Sequence, residues 1–218
     1  MLENILPAAV ACTETFEDPP DVWLFPEEEA VVTSAVAKRR REFSTGRACA
    51  RSALAQLGVG PAPVLPGEQG APQWPAGIVG SITHCAGYRA AAVAPARHVL
   101  TIGVDAEPDD VLPDGVLALI ALPGEQARLL ELAGTAPGVS WDRLLFSAKE
   151  STYKAWFPLT RRWLGFEDAD ITINSGDGTF AARLLATAPA VGGFPLVGFA
   201  GRWMARDGLI LTAVTVLA

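Results

Sequence analysis

The sequence predicts an α+β protein in which helices precede short strands in each of two halves. Three observations carry this. Apolar residues recur at helical spacing over 26–58 and again over 140–158, strand-like runs follow each helical stretch, and turn residues separate them. The repeated order points to a duplication, although no residue-level self-similarity accompanies it.

Taken in order, residues 1–25 read as strand and loop, with Asp18-Pro19-Pro20 as punctuation. Pro26 followed by Glu27, Glu28 and Glu29 is a helix start, because acids in a first turn face the positive end of the dipole. Val32, Phe43, Ala50 and Leu54 continue a helical period that Gly58 closes, and the Pro/Gly-rich stretch 58–77 is loop. Strands are expected over 78–84, 90–94 and 101–107, then a short helix over 124–132. Ser140 is placed to cap a long helix over 141–157, which Pro158 should stop. The tail predicts strands over 171–174, 180–185, 197–204 and 209–216, with Asp207-Gly208 as the last hairpin turn.

Composition bounds the function. The chain has 218 residues, half of them hydrophobic and 19% charged, enough for one domain or two small halves sharing a core. A net charge of −7 argues against general nucleic-acid binding, which needs a basic surface. No apolar run reaches the roughly 18 residues of a membrane span, and residues 1–20 carry four acids without a basic leader, so the cytoplasm is expected. Cys12, Cys49 and Cys85 lack CxxC spacing and read as unpaired thiols, and the His84-Cys85 pair lacks the other ligands of a zinc site. Lys38-Arg39-Arg40-Arg41 reads by itself as a solvated helix face. Only three of 17 cationic side chains are lysine, and two of these, Lys149 and Lys154, lie within six residues. Such use suggests sites that need a compact ammonium.

Two segments carry chemistry. On a strand, Asp105 and Glu107 stand two residues apart and share a face, about 6.6 Å apart along the chain. Paired carboxylates repel unless a cation lies between them, and a hard divalent ion with oxygen ligands suits them. A solvated strand end before Pro108 is the plainer alternative. On the long helix, Phe146, Glu150, Tyr153 and Lys154 fall on one side. That face mixes aromatics with an acid and an ammonium, where a simple surface pair between Glu150 and Lys154 is the plainer reading. Together, three carboxylates and a lysine are what metal-assisted phosphoryl transfer requires.

Ile102-Gly103-Val104-Asp105-Ala106-Glu107 and Phe146-Ser147-Ala148-Lys149-Glu150-Ser151-Thr152-Tyr153-Lys154 resemble the paired signature of the 4′-phosphopantetheinyl transferases. Gly80-Ser81-Ile82-Thr83-His84 is similar to a third motif of the surfactin- and enterobactin-type subfamily. Arg39, Arg47 and the run from Trp163 to Asp168 look like its actinobacterial members. The resemblance implies a pseudo-twofold pair of α+β halves, here divided as 1–102 and 103–218, with coenzyme A and Mg²⁺ in the cleft between them. It implies Asp105, Glu107 and Glu150 as magnesium ligands, with Glu150 also the base, and Lys154 assisting the leaving group. Lys149 and His84 would contact phosphate, Thr83 would lie near the adenine, and Arg39 and Arg47 would hold the 3′-phosphate. Tyr153, Phe146, Trp163 and Leu164 would line the pantetheine channel or serve as packing.

The partner implied is an apo acyl or peptidyl carrier protein, and the protein is expected to be a monomer because its halves already pair internally. Arg161-Arg162 is a candidate docking patch. One departure stands out. Many members carry a lysine in the loop that here reads Leu65-Pro66-Gly67-Glu68-Gln69-Gly70-Ala71-Pro72, which implies weaker or redistributed coenzyme A contacts. A magnesium-dependent phosphohydrolase, using water in place of the carrier serine, and a non-catalytic coenzyme A-binding subunit are the alternatives.

Overall fold

The computed structural model describes residues 1–187, 190–191 and 193–218. The first half contains β1 (Ala11–Thr15), α1 (Pro26–Val32), α2 (Ala37–Gln56), β2 (Ile78–Cys85) and β3 (Tyr88–Pro95), the strands forming an antiparallel sheet in the order β1-β3-β2. α1 starts at Pro26 as predicted, and Glu28, fully buried, anchors its start. The Glu28 carboxylate accepts from Phe25 N at 3.1 Å and Val64 N at 2.9 Å, and pairs with Arg51 at 3.0 Å. α2 lays Cys49, Ala50, Ala53 and Leu54 against Ala91 and Val93 of β3. The alanine run in β3 keeps that approach close.

The second half contains β4 (Val99–Pro108), α3 (Val116–Ile120), α4 (Pro123–Thr135), α5 (Trp141–Thr160), β5 (Ala169–Asn174), β6 (Thr179–Leu184), β7 (Ala190–Val191), β8 (Phe194–Pro195), β9 (Gly198–Arg206) and β10 (Leu209–Leu217). Five strands form an antiparallel sheet, β4-β10-β9-β6-β5, while β7 and β8 pair separately. Asp207 and Gly208 both take positive φ, 53° and 75°, as a two-residue hairpin turn requires. The fold is α+β, and each half runs strand, long helix, closing strands, with the first strand paired to the last. α3 is an addition that the sequence reading lacked.

Three expectations change. Pro158 does not stop α5, which continues to Thr160 and closes when Arg161 turns left-handed. The buried Trp156 and Phe157 hold the last turn, with Trp156 Nε1 donating to Arg162 O at 2.8 Å. Ser140 occupies the cap position, but its hydroxyl makes no capping bond. Instead Ser140 N donates to Asp109 Oδ1, and Asp142 Oδ2 accepts from Leu112 N, both at 2.8 Å. The division at 102/103 falls inside β4, which pairs with β10 from Val99 to Pro108 and so belongs whole to the second half.

Two close approaches place the site, and the second of them joins the halves. A Cβ on Gly103 would stand 1.9 Å from Ser151 O, so only glycine lets α5 lie this near β4. β2 and β4 belong to different sheets, yet Ser81 Oγ accepts from Val104 N at 3.1 Å and Thr83 Oγ1 from Ala106 N at 3.0 Å. These two hydroxyls, one strand period apart, stand in for the carbonyls of a paired strand. The second core, around Trp156, Ile171 and Phe180, then backs α5.

Candidate active site

A cleft of about 740 Å³ runs between α2, the loop over residues 67–74, β2 and α5. Its first wall is cationic. Arg47 is buried, donates its Nε to Val64 O at 2.9 Å, and lies 3.9 Å over the Phe43 ring. Burial pulls its pKa down to about 10, against the charge of Glu28 and with that of Arg39, so it remains a cation at neutral pH. Arg39 Nη1 lies 3.2 Å from His84 Nε2. Since a guanidinium only donates, Nε2 accepts, and His84 is the neutral tautomer. Burial, opposed by Glu42, holds His84 below its ordinary 6.5. Of the basic run only Arg39 lines the cleft; Arg40 pairs with Glu29, and Lys38 faces solvent.

The opposite wall carries Glu150 and Lys154, while the other two predicted acids, Asp105 and Glu107, stand on β4 outside the cleft lining. Asp105 is buried on β4, where its Oδ1 receives Lys154 Nζ at 2.6 Å and its Oδ2 has no partner. Lys154 Nζ also donates to Val104 O at 3.2 Å. Glu107 accepts from Arg143 Nη1 at 3.0 Å through Oε2. Burial raises the pKa of Glu107, the neighbouring Asp105 raises it further, and Arg143 opposes them. Burial likewise raises that of Glu150, with Lys154 lowering and Asp105 raising it. Asp105 thus lies close enough to feel both other acids. Yet among the described residues no three His, Cys, Asp or Glu side chains stand tightly enough to hold a metal ion as they are. Two of the acids are instead drawn onto internal cations.

Other predicted residues divide. Tyr153 lines the cleft, with its buried hydroxyl unpartnered and its ring 5.1 Å from that of Trp163, which is 68% exposed. Lys149, expected on phosphate, is buried on the far side of α5. It pairs with Glu125 at 2.9 Å and donates to Phe166 O at 2.6 Å and Ala169 O at 2.9 Å. Five residues on a helix turn a side chain through more than a full revolution, so Lys149 and Lys154 face different ways. Thr83, expected near adenine, points inward to β4 and donates to Asp105 Oδ1 at 3.3 Å. Leu164 is buried in the second core rather than in a channel, and Phe146 packs against the Phe166 ring at 6.0 Å. Arg161 lines the cleft, so only Arg162 of that pair is free of it. Burial, with Glu107 and Asp105, pushes the Cys85 thiol up to about 12, which leaves it an inert neighbour.

Glu42, Ser81 and Arg143 belong to the site's surroundings and were missed. Ser81 and Thr83 at strand spacing could have signalled a shared inward face. Arg143 gave no signal, since it reads as an ordinary helix-start residue.

Two family models match the chain: the 4′-phosphopantetheinyl transferase N-terminal domain over residues 27–94, and the 4′-phosphopantetheinyl transferase superfamily over 101–192. The chain is 53% identical to 4′-phosphopantetheinyl transferase Svp of Streptomyces mobaraensis over 221 residues, all of this chain and 90% of that protein. It is 51% identical to 4′-phosphopantetheinyl transferase PptT of Mycobacterium tuberculosis over 225 residues, 99% of this chain and 98% of that protein. The chain belongs to the 4′-phosphopantetheinyl transferase superfamily. A more distant relative, enterobactin synthase component D of Salmonella typhimurium, is 30% identical over 187 residues, 84% of this chain and 75% of that protein. The transferase therefore carries its cationic wall in the segment matched by the N-terminal model and its acidic wall in the segment matched by the superfamily model. No helix among the described residues is long and apolar enough to cross a membrane.

Proposed function

We propose that this transferase moves 4′-phosphopantetheine from coenzyme A to a serine hydroxyl of an apo acyl or peptidyl carrier protein, releasing 3′,5′-ADP. The single observation that carries this reading is the opposition of the two walls: Arg39, Arg47 and His84 face Glu150 and Lys154 across one cleft. A nucleotide phosphate gripped by the first wall would place its pyrophosphate at the second.

The acids fit a hard cation. Asp105 Oδ2 is buried and without a partner, Glu107 is engaged through Oε2, and Asp105 feels both Glu107 and Glu150, so the three offer oxygen donors around it. Asp105, Glu107 and Glu150 would hold magnesium, which when bound supplies charge neutralisation to the pyrophosphate oxygens. Lys154 would exchange Asp105 for the oxygen bridging to the nucleotide and steady it as the P–O bond breaks. Glu150, its pKa raised by burial, would take the proton of the attacking serine as oxygen bonds to the β-phosphorus. Arg47, with only its Nε committed to the backbone, would bind the 3′-phosphate beside Arg39 and His84. Tyr153 and Trp163 would flank the pantetheine arm.

On this reading the protein works as a cytoplasmic monomer, and its three free thiols suit a reducing compartment. Mass spectrometry of apo carriers incubated with coenzyme A and Mg²⁺ tests the reading. A phosphopantetheine increment on serine is expected. Release of free phosphopantetheine without a carrier would mark a hydrolase and overturn it.

A further inference from the structure

Arg143 has no role in the reaction as described, yet it holds one of the three acids. It lies in the first turn of α5, and its side chain is only 17% exposed. Nη1 donates to Glu107 Oε2, Nε to Asp110 O, and Nη2 to Val111 O, each at 3.0 Å. All three nitrogens of a rigid planar fork are thus committed to the chain that ends and leaves β4.

Lys154 is the instructive contrast. Its ammonium rests on Asp105 Oδ1 and Val104 O at the end of a flexible four-carbon stem, so it can swing to a phosphate. Arg143 cannot turn from Glu107 without abandoning two backbone carbonyls. The bond it makes also takes one carboxylate oxygen only. Two further contacts tie the same segments together without it, from Ser140 N to Asp109 and from Leu112 N to Asp142. The junction therefore has support besides the guanidinium.

We propose that Arg143 is a positioning residue that clamps Glu107 through Oε2 and presents Oε1 to the divalent cation, so that it sets the affinity of the metal site. This rests on the magnesium reading above. A carboxylate held by a partner outside the metal shell keeps its direction, and removing such partners typically weakens metal binding about 10- to 100-fold.

The test is Mn²⁺ binding to the full chain with coenzyme A present, followed by the electron paramagnetic resonance of the free ion. Arg143→Met is expected to weaken binding about tenfold. Arg143→Lys, which keeps the charge and one bond but not the fork, should fall between that variant and wild type. Wild-type affinity in Arg143→Met overturns the proposal, whatever happens to its melting temperature. Tighter binding overturns it too, because Arg143 would then be a competitor. If Arg143→Met does not fold, Arg143→Lys alone decides: weakened binding carries the proposal and unchanged binding sinks it. Failure of the magnesium reading itself looks different, since the wild-type chain would then bind no Mn²⁺ or Glu107→Gln would bind it normally.

Discussion

α2 and α5 are both 20 residues long, and each lies on an antiparallel sheet whose first strand pairs with its last. They are loaded in opposite ways. α2 turns Arg39 and Arg47 to the cleft, and α5 turns Glu150 and Lys154 to it. The first wall offers cations without mobile protons at neutral pH, which suits holding a phosphate. The second offers carboxylates with raised pKa values beside an ammonium, which suits moving a proton and receiving a leaving group. One scaffold used twice thus separates binding from chemistry, and the reacting bond is expected where the two meet.

That division can be broken residue by residue. The largest effect is expected from Glu150→Gln, which should lower transfer about 10²- to 10⁴-fold while coenzyme A still binds. Transfer at near the wild-type rate would remove Glu150 from the mechanism. Next comes the lysine pair on α5. Lys154→Met should reduce turnover about 10²- to 10³-fold, whereas Lys149→Met should act on folding. Leaving Glu125 buried without its partner is expected to cost about 3–5 kcal/mol in denaturant unfolding, with turnover of the folded fraction close to wild type. Equal effects of the two substitutions on turnover would contradict the different directions of these side chains.

On the binding wall, Arg47→Ala should weaken coenzyme A by about 10- to 100-fold, the range of a charge-assisted hydrogen bond. Calorimetry with dephospho-coenzyme A should show little further loss; a full loss there would place Arg47 elsewhere on the nucleotide. The smallest effect concerns stability. Glu150 has a folded pKa raised above 4.5, so its charged form is penalised in the folded protein at higher pH, and the penalty disappears as pH falls below that value. Glu150→Gln should therefore melt on the order of 2 °C higher at pH 7.5, a gain that shrinks toward pH 4.5. A constant gain across that range would rule out the carboxylate charge as its source.

Much of this was legible in advance, for physical reasons. The helix starts follow from proline and acids at a first turn, and the last hairpin from Asp207-Gly208, whose positive φ values few other pairs accept. Gly103 in its motif is explained by contact with α5, a consequence of the helix crossing that the motif only encoded. Misreadings share a cause. Local chemistry alone makes Pro158 a stop, but buried aromatics beside it hold one more turn. For Lys149 and Thr83 the only guide in the sequence is motif membership, which says that a residue sits near a site and not which way it points.

By itself, the sequence determined the family, the α+β pattern and the stock of charged groups, because motif spacing and hydrophobic period are properties of neighbours along the chain. Only the tertiary structure decided that Lys149 serves Glu125 and Lys154 serves Asp105, that Thr83 stitches two sheets, and that Arg143 reaches Glu107. Those pairings join residues 23 to 49 positions apart, and rotation about a helix or a strand's alternation selects among them only once the elements are packed.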